Sequence, residues 1–437
     1  MTDVLIIGAG FAGMVAAIQL AQHGMKVTML EAKDRAGGRV FTLHDTAANA
    51  PIELGAEFIH GRPHEIWDLL RQHKIPAHEV EGDTWCFQDG KLNKCDFFTE
   101  TNEILDEMSD GGPDQSFDDF LSQTQGSDKA KGWARNYVMG FHAADPSLIS
   151  LHSLVRGTKS DEEIDGERAF RIPSQGYEAL RQLFLKQLGE AGVELHLATV
   201  AKTVIWRKGY VELHAQSLGQ PVLLTAKRCL VTLPLGVLQA RVGEPGTVQF
   251  EPELPPDKVR AIDLLAMGGV IRVDLCFKEA FWRSIKAPHG SEGAKNLSFL
   301  LTQHDWFPTW WTPLPDKSPL LTGWAPFGSA EKLSGRSKSF VIEKALETLA
   351  SILSISSHEI ESLLAASYTH DWQSDPYARG AYSYVKVGGE GAQRALGAPI
   401  NGTLFFAGEA TDVTGHHGTV HGAMASGYRT AAEIINS

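Results

Sequence analysis

The apolar and polar positions of this chain fall into runs that change period several times. Residues 4–7 are an unbroken apolar run of buried-strand type. Residues 12–23 read as a helix closed by Gly24, and residues 26–30 read as a second strand. From about 64 to 185 the pattern is largely helical. Residues 65–73 place Ile66, Leu69 and Leu70 on one face, and 97–108, 117–121 and 133–141 are further helical candidates, interrupted by Gly111-Gly112-Pro113. Residues 177–188 form a stronger helix. Strand character returns at 193–197, 197–204, 210–215 and 221–225, and again at 229–234, where Pro234 stops it. Residues 251–256 are a proline-rich linker by composition. Strands follow at 270–277, 297–302 and 320–324, then a helix at 338–353. Residues 403–411 are a strand running into Gly-Glu, and 418–423 open the last helix. This order predicts an α/β chain with two interleaved parts. A Rossmann-like nucleotide-binding domain takes 1–75, 190–250 and 367–437. An α+β domain of mixed sheet plus helical insert takes 76–189 and 251–366.

Composition narrows the class. With 43% hydrophobic and 21% charged residues, the chain reads as an ordinary soluble protein, and no apolar run is long enough to span a bilayer. The first strand starts after Met1-Thr2-Asp3, which we read as leaving no room for a signal peptide. The C-terminal residues carry no lipidation box. Cytoplasmic location is the resulting expectation. Cys86, Cys95, Cys229 and Cys276 show no metal-ligand spacing, so four free thiols in a reducing compartment and no metal are expected. The net charge of −13 argues against nucleic-acid binding and suits a cationic substrate.

The chemistry begins at Gly8-Ala9-Gly10-Phe11-Ala12-Gly13, which fits G-x-G-x-x-G between the first strand and the first helix. Gly8 permits the tight turn, Gly10 lets the backbone approach a pyrophosphate, and Gly13 lets helix and strand pack closely. The helix N-terminus supplies N–H groups and a positive dipole end. Glu31 stands at the end of the second strand, 18 residues after Gly13, where a carboxylate accepts from both ribose hydroxyls. Arg35-Ala36-Gly37-Gly38-Arg39 then adds two glycines for a second close backbone approach and a guanidinium that can neutralise pyrophosphate.

The order G-x-G-x-x-G, Glu, R-x-G-G-R resembles the FAD-dependent amine oxidase family of monoamine oxidases, polyamine oxidases and lysine-specific histone demethylases. The resemblance spans nearly the whole chain and is strongest at 4–61 and 367–430. Ile52-Glu53-Leu54-Gly55-Ala56-Glu57-Phe58-Ile59-His60-Gly61 is similar to the stretch beside the flavin ring, and its His-Gly ending resembles the polyamine-oxidising branch. Gly140-Phe141-His142-Ala143-Ala144-Asp145-Pro146 resembles part of the family's substrate domain. Trp372 and the stretch from Asp375 to Val385 are similar to polyamine oxidases and the demethylase.

The resemblance implies non-covalent FAD held by Gly8, Gly10, Phe11, Ala12, Gly13, Glu31, Ala32, Arg35, Gly37, Gly38, Arg39, Gly55, Ala56, Glu57, Ala201, Trp372, Tyr377, Gly408, Glu409, Thr419 and Val420. The bond is non-covalent because Ala381 occupies the position of the monoamine oxidases' flavin-linked cysteine. For Ala201, adenine closure and a generic strand position both fit. The implied reaction is hydride transfer from an amine to flavin N5, giving an imine and then an aldehyde plus amine, with O2 or another acceptor reoxidising the flavin. A polyamine such as spermine or spermidine is the expected substrate.

Residues implied at the reaction are Glu57, His60, Arg272, Tyr382 and Thr419. Tyr382 matches a cage tyrosine. Thr419 falls where monoamine oxidases have a second tyrosine and the demethylase branch has threonine. His60 fits an amine or water contact, and equally a hydrogen-bonded, half-buried histidine. Arg272 stands where the family carries a lysine linked to oxygen reaction. It fits slower oxygen reduction, a clamp on a substrate carboxylate (which would make the enzyme an L-amino-acid oxidase or dehydrogenase), or a structural ion pair. Six of the ten tryptophans fall between Trp282 and Trp372, which fits an aromatic tunnel or aromatic core packing.

Overall fold

The computed structural model describes residues 2–285 and 294–437, built on two large sheets. The first has eight strands. Its parallel part runs Glu194–His196, Val27–Leu30, Thr2–Ile7, the end of Gln220–Val231, and Leu404–Phe406. The apolar run at 4–7 is buried on both faces, as a central parallel strand requires. Residues 221–225 and 229–231, expected in separate strands, belong to one strand, Gln220–Val231, which ends three residues before Pro234. The polar Lys227 and Arg228 within it do not break the pairing. They reach outward to Asp3 Oδ1 at 2.7 Å and the Ser437 carbonyl at 2.8 Å. Tyr210–Ser217 and Thr199–Arg207 extend this sheet as an antiparallel meander.

Three helices cover one face of this sheet: Phe11–Gln22, Glu178–Glu190 and Val420–Ile435. Ile6, Met14, Leu180, Phe184, Phe405 and Met424 form the core between them. The last helix crosses the first so closely that a Cβ on Gly427 would stand 2.4 Å from the Ala12 carbonyl oxygen.

The second sheet has seven strands in the order Leu364–Asp371, Val270–Phe277, Leu320–Pro326, Thr309–Trp311, Leu297–Thr302, Asp83–Gln88, Lys91–Lys94. Every residue of Val270–Phe277 is buried. The helix Lys338–Leu353 packs its apolar stripe on this sheet.

Three features differ from the sequence reading. The hairpin Asp83–Gln88/Lys91–Lys94 lies within the expected helical insert yet joins the second sheet. The helix Leu151–Glu163 was not anticipated, because its second half is polar. It is started by Ser150, whose Oγ accepts from the Ser153 N–H, and is buried along Leu151, Leu154 and Val155. The expectation of four free thiols is corrected as well. The hairpin brings Cys86 and Cys95 together as a disulfide, while Cys229 and Cys276 are free and buried. No helix among the described residues is long and apolar enough to cross a membrane.

Candidate active site

The C-terminal ends of the parallel strands open onto a cavity of about 1270 Å3. One end is a cradle made by the glycines of the first turn. Gly8 has φ +106°, and a Cβ there would meet Thr232 Oγ1 at 2.6 Å. A Cβ on Gly13 would meet the Gly8 carbonyl oxygen at 2.3 Å, so Gly13 packs helix on turn from behind the wall. Gly10 is different. Nothing stands nearer to its Cβ position than Gly38 Cα at 4.0 Å, so its role is to leave room beside the cavity. Gly10 also begins the first helix without a side-chain cap, so that helix presents its N-terminal N–H groups uncapped.

Glu31 is buried at the end of the second strand. It accepts from the Ala9 and Lys33 N–H groups, both at 2.9 Å, and burial raises its pKa. Arg39 reaches across the fold to Glu409 at 2.9 Å and donates to the Ala381 carbonyl at 2.7 Å. Burial pushes the Glu409 carboxyl up, but Arg39 and Ser383 outweigh it and hold the pKa low. Glu409 also accepts from the Gly418 N–H at 3.0 Å, which ties the loop before the last helix to this site.

Of the expected cofactor residues, Gly8, Gly10, Phe11, Ala12, Glu31, Ala32, Gly37, Gly38, Arg39, Gly55, Ala56, Glu57, Ala201, Trp372, Tyr377, Gly408, Glu409, Thr419 and Val420 all line this cavity. Gly13 and Arg35 stand behind it. Arg35 turns its fork back to the Val40 and Gly38 carbonyls, both at 2.9 Å, and so braces the glycine loop. A two-ended cavity with a glycine cradle, an uncapped helix start and a carboxylate at the strand end fits a dinucleotide.

Beyond the cradle lies a buried charge network. Arg272 donates to both Asp274 oxygens, at 2.9 and 2.8 Å, and pairs with Glu57 at 2.7 Å. Glu57 also accepts from Arg171 Nε at 2.6 Å and Trp311 Nε1 at 3.0 Å. Burial raises the Glu57 pKa and lowers that of Arg272, but the ion pairs outweigh burial for both, so both stay charged. Glu53, two residues before Gly55, accepts from Thr42 Oγ1 and the Tyr177 N–H at 2.7 Å each. Burial pushes its carboxyl up to about 8. With Glu53 protonated, the two arginines and the two carboxylates balance.

The far end of the cavity is aromatic and histidine-rich. Phe58, Phe299 and Trp324 surround Trp311, with ring centroids 5.5, 6.3 and 5.6 Å away. Trp311, Trp324 and Trp372 line the cavity, whereas Trp282 and Trp310 pack in the second sheet's core. The tunnel and core readings of the tryptophan-rich stretch each hold for part of it. His60 lies 5.2 Å from Phe141, and burial lowers its pKa. The Tyr382 hydroxyl donates to the Phe141 carbonyl at 2.8 Å, and burial raises its pKa. Thr419 lines the cavity while its Oγ1 caps the last helix, accepting from the Gly422 N–H at 3.0 Å and donating to the His416 carbonyl at 2.6 Å. Tyr137, His142, Asp161, His416 and His417 also line this end, although none was a candidate from sequence. The signal available was Gly415-His416-His417-Gly418, four residues of glycine and histidine just before the last helix.

This fold and cavity suit a dinucleotide at the glycine cradle, with an aromatic-walled space beyond it. The chain belongs to the flavin containing amine oxidoreductase family, whose pattern matches residues 11–109 and 103–435. It is 26% identical over 468 residues to lysine-specific histone demethylase 1 homolog 2 of Arabidopsis thaliana, across 99% of this chain and 58% of that protein. Polyamine oxidase 4 of Oryza sativa subsp. japonica is 25% identical, across 99% and 88%. The chain thus spans little more than half the length of the demethylase relatives and most of the polyamine oxidase. A putrescine oxidase solved with putrescine bound shares the fold at a TM-score of 0.81 and 21% identity, covering 100% of this chain and 99% of that one.

Proposed function

We propose that the protein oxidises a small aliphatic polyamine or diamine to an imine, which water hydrolyses to an aldehyde and a shorter amine or ammonia. The observation that carries this reading is the continuity of one cavity from the glycine cradle to an end lined by Trp311, Trp324, Tyr382 and His60. FAD, when bound, would supply the two-electron acceptor; Gly10, Glu31 and Arg39 would hold its nucleotide part, and Gly55, Ala56, Trp372 and Thr419 would be left for the ring. The aromatic side chains wall the alkyl chain and offer their faces to a cationic nitrogen. His60, kept neutral by burial, offers a ring nitrogen to an amine or a water rather than a repelling charge.

The amino-acid alternative requires a free guanidinium fork to grip a carboxylate. Arg272 gives its N–H groups to Asp274 and Glu57, so this geometry favours an amine without a carboxylate. Its fixed charge in the place of the family's lysine is our reason for expecting slow reoxidation in air.

The test is turnover with an artificial electron acceptor and in air, with aldehyde detection. The substrates are putrescine, spermidine, spermine, a peptide bearing N-methylated lysine, and several L-amino acids. Aldehyde from the free polyamines supports the reading. Turnover of the peptide alone would move the function to protein lysines, and oxo-acid from the amino acids alone would overturn the role given to Arg272.

A further inference from the structure

We propose that Asp161 is the counter-ion for a second, non-reacting ammonium group of the substrate, so that the cavity selects diamines and polyamines over monoamines of equal length. This rests on the amine reading above. Asp161 lies in the last turns of the helix Leu151–Glu163. The preceding Ser160 donates to the Thr414 carbonyl at 2.7 Å. Gly415, with φ +102°, admits that approach, since a Cβ there would stand 2.2 Å from Ser160 Oγ. The docked helix sets Asp161 Oδ1 3.4 Å from His416 Nδ1, on the wall of the cavity.

Among neighbouring carboxylates, Asp165 pairs with Arg62 at 3.9 Å, Asp110 with Lys159 at 2.8 Å, and Glu79 with Arg168, while Glu162 on the same cavity wall has no such cation among the described residues. Among the described residues, Asp161 has no lysine or arginine within ion-pair distance, and His416 is its one partner. Its field also reaches His60, Tyr137, His142 and His417. Burial depresses the histidines of this set other than His416, and pushes His142 down to about 4. Neutral imidazoles have acceptor nitrogens to offer an ammonium group. The Nδ1 of His417 is buried without a partner. So is the Nε2 of His421, a residue only 3% exposed whose ring lies 4.8 Å from that of His416. Burial also works against a proton on His416, but the Asp161 carboxylate 3.4 Å away outweighs it, and an arriving ammonium takes that proton's place. A carboxylate, neutral imidazoles and an aromatic approach together match an alkylammonium.

The test compares kcat/KM for putrescine and n-butylamine in the wild-type holoenzyme, Asp161→Asn and Asp161→Glu, with the bound-flavin spectrum checking that each is folded. The wild type should prefer putrescine. In Asp161→Asn that preference should shrink by about 10- to 100-fold, the worth of a hydrogen bond to a charged group. Asp161→Glu, which keeps the charge, should recover much of it. An unchanged ratio in Asp161→Asn, or an equal loss in Asp161→Glu, would overturn the proposal. If the wild type turned over both amines equally well, the amine reading would stand and this inference would fall. If neither of these amines, nor spermidine or spermine, reduced the flavin, both would fall.

Discussion

Replacing Glu53 by glutamine should make the protein more stable at neutral pH and leave it nearly unchanged in acid. Glu53 is 4% exposed, and burial raises its carboxyl from 4.5 to about 8. Because the folded value lies above the unfolded one, protonated Glu53 favours the folded state in full below pH 4.5. That contribution is lost as pH rises from there through about 8. From pH 4.5 to 7 the span is about 2.5 pH units, and at ~1.4 kcal/mol per unit the loss by pH 7 is roughly 3 kcal/mol. Glutamine keeps an acceptor oxygen for the Tyr177 N–H, and its amide can donate to Thr42 Oγ1, so both contacts survive without a charge. Urea unfolding of both proteins at pH 5 and pH 7, with the same excess of FAD, measures the difference directly. Glu53→Gln should gain roughly 3 kcal/mol relative to wild type at pH 7 and less than about 1 kcal/mol at pH 5. An equal difference at both pH values, or a variant weaker at pH 7 than at pH 5, would refute the assignment of Glu53 as a buried neutral acid.

The glycine turn separates a binding role from a folding role. Gly10→Ala should fold and melt like wild type when stripped of cofactor but bind FAD more weakly, read by fluorescence titration. Gly13→Ala, whose methyl would meet the Gly8 carbonyl oxygen at 2.3 Å, should lower the melting temperature with or without FAD. Arg272→Met leaves Glu57 and Asp274 without their shared cation and should cost about 3–5 kcal/mol of stability, read by urea unfolding at pH 7. Its melting point should partly recover when Asp274→Leu is added.

What was legible in the sequence was what lies close together along it. Strand, glycine turn, helix, second strand and Glu31 occupy the first 31 residues, and their spacing alone implied a nucleotide site. The helix Lys338–Leu353 matched its periodicity to the residue. What stayed hidden depends on residues far apart in sequence. Arg39 meets Glu409, 370 positions away, and Glu57 joins Arg171 to Arg272 from three separate segments. Asp161 lies on a helix whose polar second half concealed it, and its partner His416 comes from a distant segment of the chain. The disulfide was missed because a hairpin, not a spacing rule, brings Cys86 to Cys95. Arg272 stood out in the sequence as a departure from the family it resembles, but its pairing with Glu57, from a distant segment, could not be read there.

The most direct test of the central claim is the absorbance of the bound flavin after anaerobic mixing with putrescine. The account predicts rapid bleaching at a rate that saturates with amine concentration, followed by slow return of colour when air is admitted. A spectrum unchanged by putrescine, spermidine and n-butylamine, in protein that has FAD fully bound, would contradict it.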